Sequence, residues 1–197
     1  MIAKRARRDN INSKMERVLT VARELFVSRG YHNVSVPAIV KASGVSTGAI
    51  YSYFGSKENL ARRIHEDTLA RFQNMFLQRL EGVDDIRCQL EAFGYLCFDL
   101  VEREAVMMEY MLFMKHDEFM RDTTPICFTE PFKKVRAIIS AGMDSGVLRR
   151  QDVYTAAITY TGVVLRAVEL RLMCILPNPL PQISGDLLEN AWIAIKR

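Results

Sequence analysis

The run Gly44-Val45-Ser46-Thr47-Gly48-Ala49-Ile50-Tyr51-Ser52-Tyr53-Phe54, continued by Gly55-Ser56-Lys57-Glu58-Asn59-Leu60, decides how this chain folds. It reads as a tight turn, a very short helix, a second turn and the start of a long helix. Gly44 follows the apolar run Ile39, Val40 and Ala42 and suits the left-handed residue that closes a helix. Ser46 can cap the next helix, because its hydroxyl accepts from a backbone N–H two or three residues on. Ile50 and Phe54, four apart, point inward and leave Thr47, Gly48, Ala49, Tyr51, Ser52 and Tyr53 outside. That outer set is uncharged, small and hydroxylated. Gly48 and Ala49 permit close backbone approach, and hydroxyls bond phosphates or base edges. Two short helices joined by a turn, the second with such a face, form a helix-turn-helix of the kind that lays its recognition helix in the major groove.

These residues resemble the recognition helix and following turn of the TetR family of transcriptional regulators. Gly30-Tyr31, Ser35-Val36 and Ile39 also stand where that family's pattern expects them. The motif resemblance covers roughly residues 13–62; beyond that, helix number and lengths agree. It implies an all-α chain of about nine helices, with a three-helix DNA-binding domain at 1–56 and a ligand-binding and dimerisation domain at 57–197. By position in the motif, Thr47, Gly48, Ala49 and Ser52 face base edges, while Ser35, Tyr51, Tyr53 and Lys57 hold phosphates. The resemblance further implies a homodimer joined through helices 8 and 9 on a palindromic operator in double-stranded DNA. It also implies a repressor released by a small effector. Thr47 stands where the family usually carries a basic or bulky residue, and Ser52 where it carries His or Asn, so the operator sequence does not follow.

Composition agrees with a globular protein: 49% hydrophobic and 25% charged residues in a chain of 197. The charge is uneven. Residues 1–63 carry 12 Lys/Arg and 4 Asp/Glu, against 15 and 19 in the rest. A basic segment that also holds the helix-turn-helix points to a polyanion partner. Cys88, Cys97, Cys127 and Cys174 lack C-x-x-C spacing and lie in apolar stretches, which predicts buried reduced thiols. The opening Met-Ile-Ala-Lys-Arg-Ala-Arg-Arg has no apolar segment of a signal peptide. Arg166, Glu169 and Arg171 interrupt the most hydrophobic span. The expectation is a cytoplasmic protein with no membrane contact.

Along the chain, Lys4, Arg5, Arg7 and Arg8 read either as a solvated tail or as an arm on DNA backbone or minor groove. Ser13 with Glu16 predicts a capping box opening the first helix, with Met15, Val18, Leu19, Ala22, Leu25 and Phe26 on its apolar stripe. Ser35 caps the second, with Pro37 in its first turn, and Ser56 caps the fourth, from Lys57 to about Glu81. Helices follow at about 86–100, 103–114, 128–144, after Asp152, and from Ser184, with 177–181 as a proline-rich stop. The helix after Asp152 is apolar on more than one side, and Val164 on it is expected at the dimer seam.

No catalytic or phosphate-loop motif appears, so the expectation is not an enzyme, with no cofactor and no metal site. Met107, Met108, Met111, Met114 and Met120 accompany Tyr110, Phe113 and Phe119. Methionine packs cores, and it also lines adaptable apolar surfaces. The family uses these segments for its inducer cavity. The resemblance therefore assigns Phe93, Cys97, Met107, Tyr110, Met111, Met114, His116 and Phe128 to binding of an apolar or amphipathic effector, with Tyr110 and His116 as polar anchors. The competing reading is a DNA-binding regulator without a small ligand, controlled by a protein partner.

Overall fold

The computed structural model describes residues 2–120 and 122–197, with the side chains of residues 2–10 left aside. The described residues form α1 (Ile2–Arg29), α2 (Val36–Ser43), α3 (Thr47–Phe54), α4 (Lys57–Leu80), α5 (Ile86–Arg103), α6 (Ala105–Leu112), α7 (Glu130–Asp144), α8 (Val153–Leu172) and α9 (Leu180–Ile193). Short 3-10 turns lie at His116–Glu118 and Ile126–Phe128. Among the described residues there is no β-strand, and the fold is all-α. No helix among them is long and apolar enough to cross a membrane.

Several boundaries differ from the sequence expectation. Helix α1 begins at Ile2, so Ser13 lies inside it and not at its N-cap. The stretch before Ser13 is free of Pro and Gly and rich in Ala, Lys and Arg, which favour helix. The side chains of Lys4, Arg5, Arg7 and Arg8, and with them the question of a DNA-contacting arm, lie outside the described residues. Helix α9 begins at Leu180, not at Ser184, with Pro181 in its first turn. A proline there gives up no intrahelical hydrogen bond, so the Pro177–Pro181 run ends one helix and opens the next.

The chain divides into two compact units, one of residues 1–68 and 114–123, the other of 69–113 and 124–197. The division falls within α4, not at 56/57, and the segment after α6 returns to the first unit. In the first unit α1 packs on α2 and α3, around Val18, Ala22, Phe26, Ile39, Ile50 and Phe54. In the second, α5 is central, packed on α6, α7, α8 and α9. Phe93 on α5 meets Phe72 and Phe76 of α4 and Phe132 of α7 at ring separations of 6.1, 5.6 and 5.6 Å. Three of the four cysteines are exposed (Cys88, Cys127 and Cys174) and only Cys97 is buried, so the expectation of four buried thiols is wrong. Apolar neighbours in sequence did not reveal which side of each helix faces out.

Candidate nucleic-acid interface

Local backbone chemistry builds the surface around α3. The Ser35 hydroxyl accepts from the Ala38 N–H at 3.3 Å and opens α2. Gly44 closes α2 at φ 68°, in the left-handed region that costs glycine nothing, and its N–H donates to the Val40 carbonyl at 2.8 Å. Ser43 is buried, and its hydroxyl accepts from the Val45 N–H at 3.2 Å, which tightens the turn. The Ser46 hydroxyl accepts from the Ala49 N–H at 3.3 Å and opens α3. Gly55 ends α3 at φ 77°, and the Ser56 hydroxyl accepts from the Asn59 N–H at 3.0 Å to open α4.

This frame buries Ile50 and Phe54 and turns the rest of α3 outward. Thr47, Gly48, Tyr51, Ser52 and Tyr53 are exposed and Ala49 is half-buried. Tyr51 and Tyr53 keep 48% and 49% of their surface, large for aromatic side chains. Open space surrounds the position that a Cβ on Gly48 would take. Ser35 is exposed as well. Seven of the eight residues expected at DNA therefore have accessible side chains or backbone at this surface.

Lys57 is placed differently. Its ammonium donates to the carbonyls of Tyr31 and Val34, each at 3.0 Å, and stands 4.0 Å over the Tyr31 ring. Burial lowers its pKa. In this position it ties the start of α4 to the turn between α1 and α2. Tyr31 is a hub. Phe119 stacks on it at 4.1 Å and 12°, and Phe26 lies 5.2 Å away. Burial, then the nearby Glu58 charge, raise its pKa.

Two cations that the sequence reading passed over stand beside the turn. Arg17 is exposed and carries its guanidinium to within 3.9 Å of where a Cβ on Gly44 would lie, and Lys41 is exposed in the last turn of α2. Neither belongs to a motif; only their helical register relative to the turn could have marked them.

The residues assigned to an effector divide between the units. Phe93, Cys97, Met107, Tyr110 and Met111 are each at most 2% exposed and lie in the second unit. Burial pushes the Cys97 thiol far up. Phe128 is also in the second unit but is exposed, 6.4 Å from Tyr154 and facing Arg136. Met114 and His116 belong to the first unit. The His116 ring lies 4.3 Å from that of His65 and 5.8 Å from Phe119, and both histidines are buried. Burial, then His65, lower the His116 pKa to about 4, with Asp117 opposing. Burial, then Arg62, lower that of His65. Among the described residues, no three or more His, Cys, Asp or Glu side chains are grouped to hold a metal ion.

The chain is similar to known proteins in sequence over its first part and in fold over most of its length. Residues 18–64 match the model of bacterial regulatory proteins of the tetR family. The HTH-type transcriptional regulator UidR of Escherichia coli strain K12 is 32% identical over 111 residues, 52% of this chain and 55% of its own length. The chain thus spans about half of that curated relative. A TetR family transcription regulator from Marinobacter aquaeolei VT8 superposes with a TM-score of 0.80 at 20% identity, over 96% of this chain and 100% of that one. AibR, solved with isovaleryl coenzyme A and operator DNA, superposes with a TM-score of 0.72 at 21% identity, over 89% and 96% of the two chains.

Proposed function

The chain belongs to the TetR family of bacterial regulatory proteins, and on that premise we propose that it is a transcriptional regulator which binds a two-fold operator as a homodimer and is released by a small effector. The observation that carries the reading is the exposed, uncharged and hydroxylated face of α3, held between Ser46 and Gly55. Uncharged donors and acceptors of this kind read base edges, and the cations around them supply sequence-independent attraction to phosphate. Selection of duplexes from a random pool should yield a near-palindrome with half-sites about one helical turn apart. A Thr47→Ala/Tyr51→Ala double variant should lose its preference for that duplex over unrelated DNA. If the wild type shows no preference between duplexes, the reading fails.

Exposed apolar surface on α8 supports the dimer. Tyr154 and Ile158 are 48% and 69% exposed, and Gly162 and the half-buried Leu165 continue the same face. Glycine inside a helix costs roughly 0.5–1 kcal/mol relative to alanine. Nothing lies within 4 Å of the Cβ position of Gly162, so its own chain gives no packing reason for it. Close approach of a second copy supplies one. Val164 does not belong to that face: it is fully buried in its own chain.

The effector would be apolar or amphipathic, bound among the methionine-rich segments of the second unit, and it must favour the DNA-incompetent arrangement to act. AibR, with its bound acyl-coenzyme A, supports this by analogy of fold. The close packing of Phe93, Cys97, Met107 and Met111 favours the other reading, a regulator controlled by a protein partner. Cys97→Phe separates them. Retained melting temperature with lost effector response speaks for a ligand cavity; a large fall in melting temperature speaks for a filled core.

A further inference from the structure

The turn after α7 and the residues after α9 border an open cleft that the proposed regulatory function does not use. Leu148 pairs with Lys196 in an antiparallel bridge. The Arg149 N–H donates to the Ile195 carbonyl at 3.0 Å, and the Arg197 N–H to the Val147 carbonyl at 3.2 Å. This pairing sets Arg149 and Arg150 across from Arg197 on the rim of a cleft of about 490 Å³. Met143 and the buried Leu148 line it too, and Asp144 is its one lining acidic side chain. All three arginines are exposed. Arg149 donates to the Ala194 carbonyl at 3.0 Å, which fixes its guanidinium at the rim.

The cleft gathers three arginines of its unit that, among the described residues, are not ion-paired. Arg71, Arg79, Arg87, Arg166 and Arg171 each reach a carboxylate. Among the described residues, Arg149, Arg150 and Arg197 form no ion pair. Three guanidinium groups against the single carboxylate of Asp144 leave the rim net positive and raise the local potential, and their planar fork matches phosphate oxygens in pairs. The volume falls in the range of small-molecule sites. A duplex presents its phosphates on the outside of a rod, which a concave cleft of this size does not receive.

We propose that this cleft binds a small phosphorylated metabolite carrying two or more phosphates, with the arginines on the phosphates and the accessible edge of Met143 beneath its less polar part. The site shares no residue with α3 and does not depend on the operator reading.

Titration calorimetry of the full chain, with inorganic pyrophosphate and with ADP as probes, tests it. Both should bind saturably below millimolar concentration, and ADP more tightly because the apolar floor takes its nucleoside. Arg150→Gln and Arg149→Gln should each weaken binding by roughly ten- to a hundredfold, the range for one charge-assisted hydrogen bond. Arg103→Gln, an equal change of charge at an exposed position elsewhere, should leave it unchanged. Arg150→Gln should also keep the wild-type melting temperature without anion, which separates lost binding from lost fold. Equal affinity in all variants, or no saturable heat, would overturn the site. ADP binding no tighter than pyrophosphate would overturn the metabolite. Failure of both probes while Arg150→Gln weakens duplex binding would reassign the arginines to DNA.

Discussion

At the scale of single residues, the side chains that fasten the first unit are Lys57 and the buried histidine pair. Lys57 is turned onto two carbonyls and a tyrosine ring, so its replacement removes charged hydrogen bonds and a cation–π contact. Lys57→Met should lower stability by about 2 kcal/mol in urea unfolding. The salt slope of DNA binding should stay unchanged. A slope reduced by about one would place the ammonium on a phosphate instead. His116 makes a pH prediction. Its pKa falls from 6.5 unfolded to about 4 folded because burial and His65 oppose its charge. The unfolded chain therefore binds the proton first as pH drops. The stability contribution is complete above pH 6.5 and is lost as pH falls towards 4, by on the order of 2–3 kcal/mol. His116→Gln should flatten that part of the stability curve; an unaltered slope would count against the assignment.

At the scale of elements, α3 is too short to hold itself together and depends on its ends. Removing the Ser46 hydroxyl leaves the Ala49 N–H without its cap, so Ser46→Ala should cost about 1 kcal/mol. Aspartate caps as well as serine, and Ser46→Asp should restore the melting temperature. It also places a negative charge at the end of α3 that would enter the groove, so operator affinity should stay low. Full affinity in Ser46→Asp would mean that this end of α3 does not approach DNA. The pair of variants separates the helix as a folded element from the helix as a reading head.

At the scale of the whole molecule, two substitutions on α8 test assembly against folding. Ile158 is 69% exposed and Val164 fully buried, though both are apolar residues of one helix. Ile158→Arg should keep the monomer's helical signal and melting behaviour while sedimentation at micromolar concentration shifts from dimer to monomer. Operator binding should fall with it. Val164→Arg puts an unpaired charge in the core and should unfold the second unit, at a cost of several kcal/mol. A wild type that sediments as a monomer, or an Ile158→Arg protein that remains a dimer, would remove α8 from the interface.

The sequence by itself determined the helix-turn-helix, because each signal there is a hydrogen bond within a few residues. Ser35, Ser46 and Ser56 each cap the helix that follows, and Gly44 takes the positive φ that ends α2. Inward Ile50 and Phe54 follow from helical spacing alone. The tertiary structure decided what depends on distant partners. Lys57 reads as a phosphate ligand until Tyr31, 26 residues earlier, claims it. The segment 114–123 follows α6 in sequence, yet Phe119 on Tyr31 and His116 beside His65 attach it to the first unit. On α8 both faces are apolar, so periodicity could not tell buried Val164 from exposed Ile158. The packing of α5, α7 and α9 on that helix made the choice. The arginine cleft is of the same kind: its residues lie at 143–150 and at 197, and a backbone bridge between Leu148 and Lys196 brings them together.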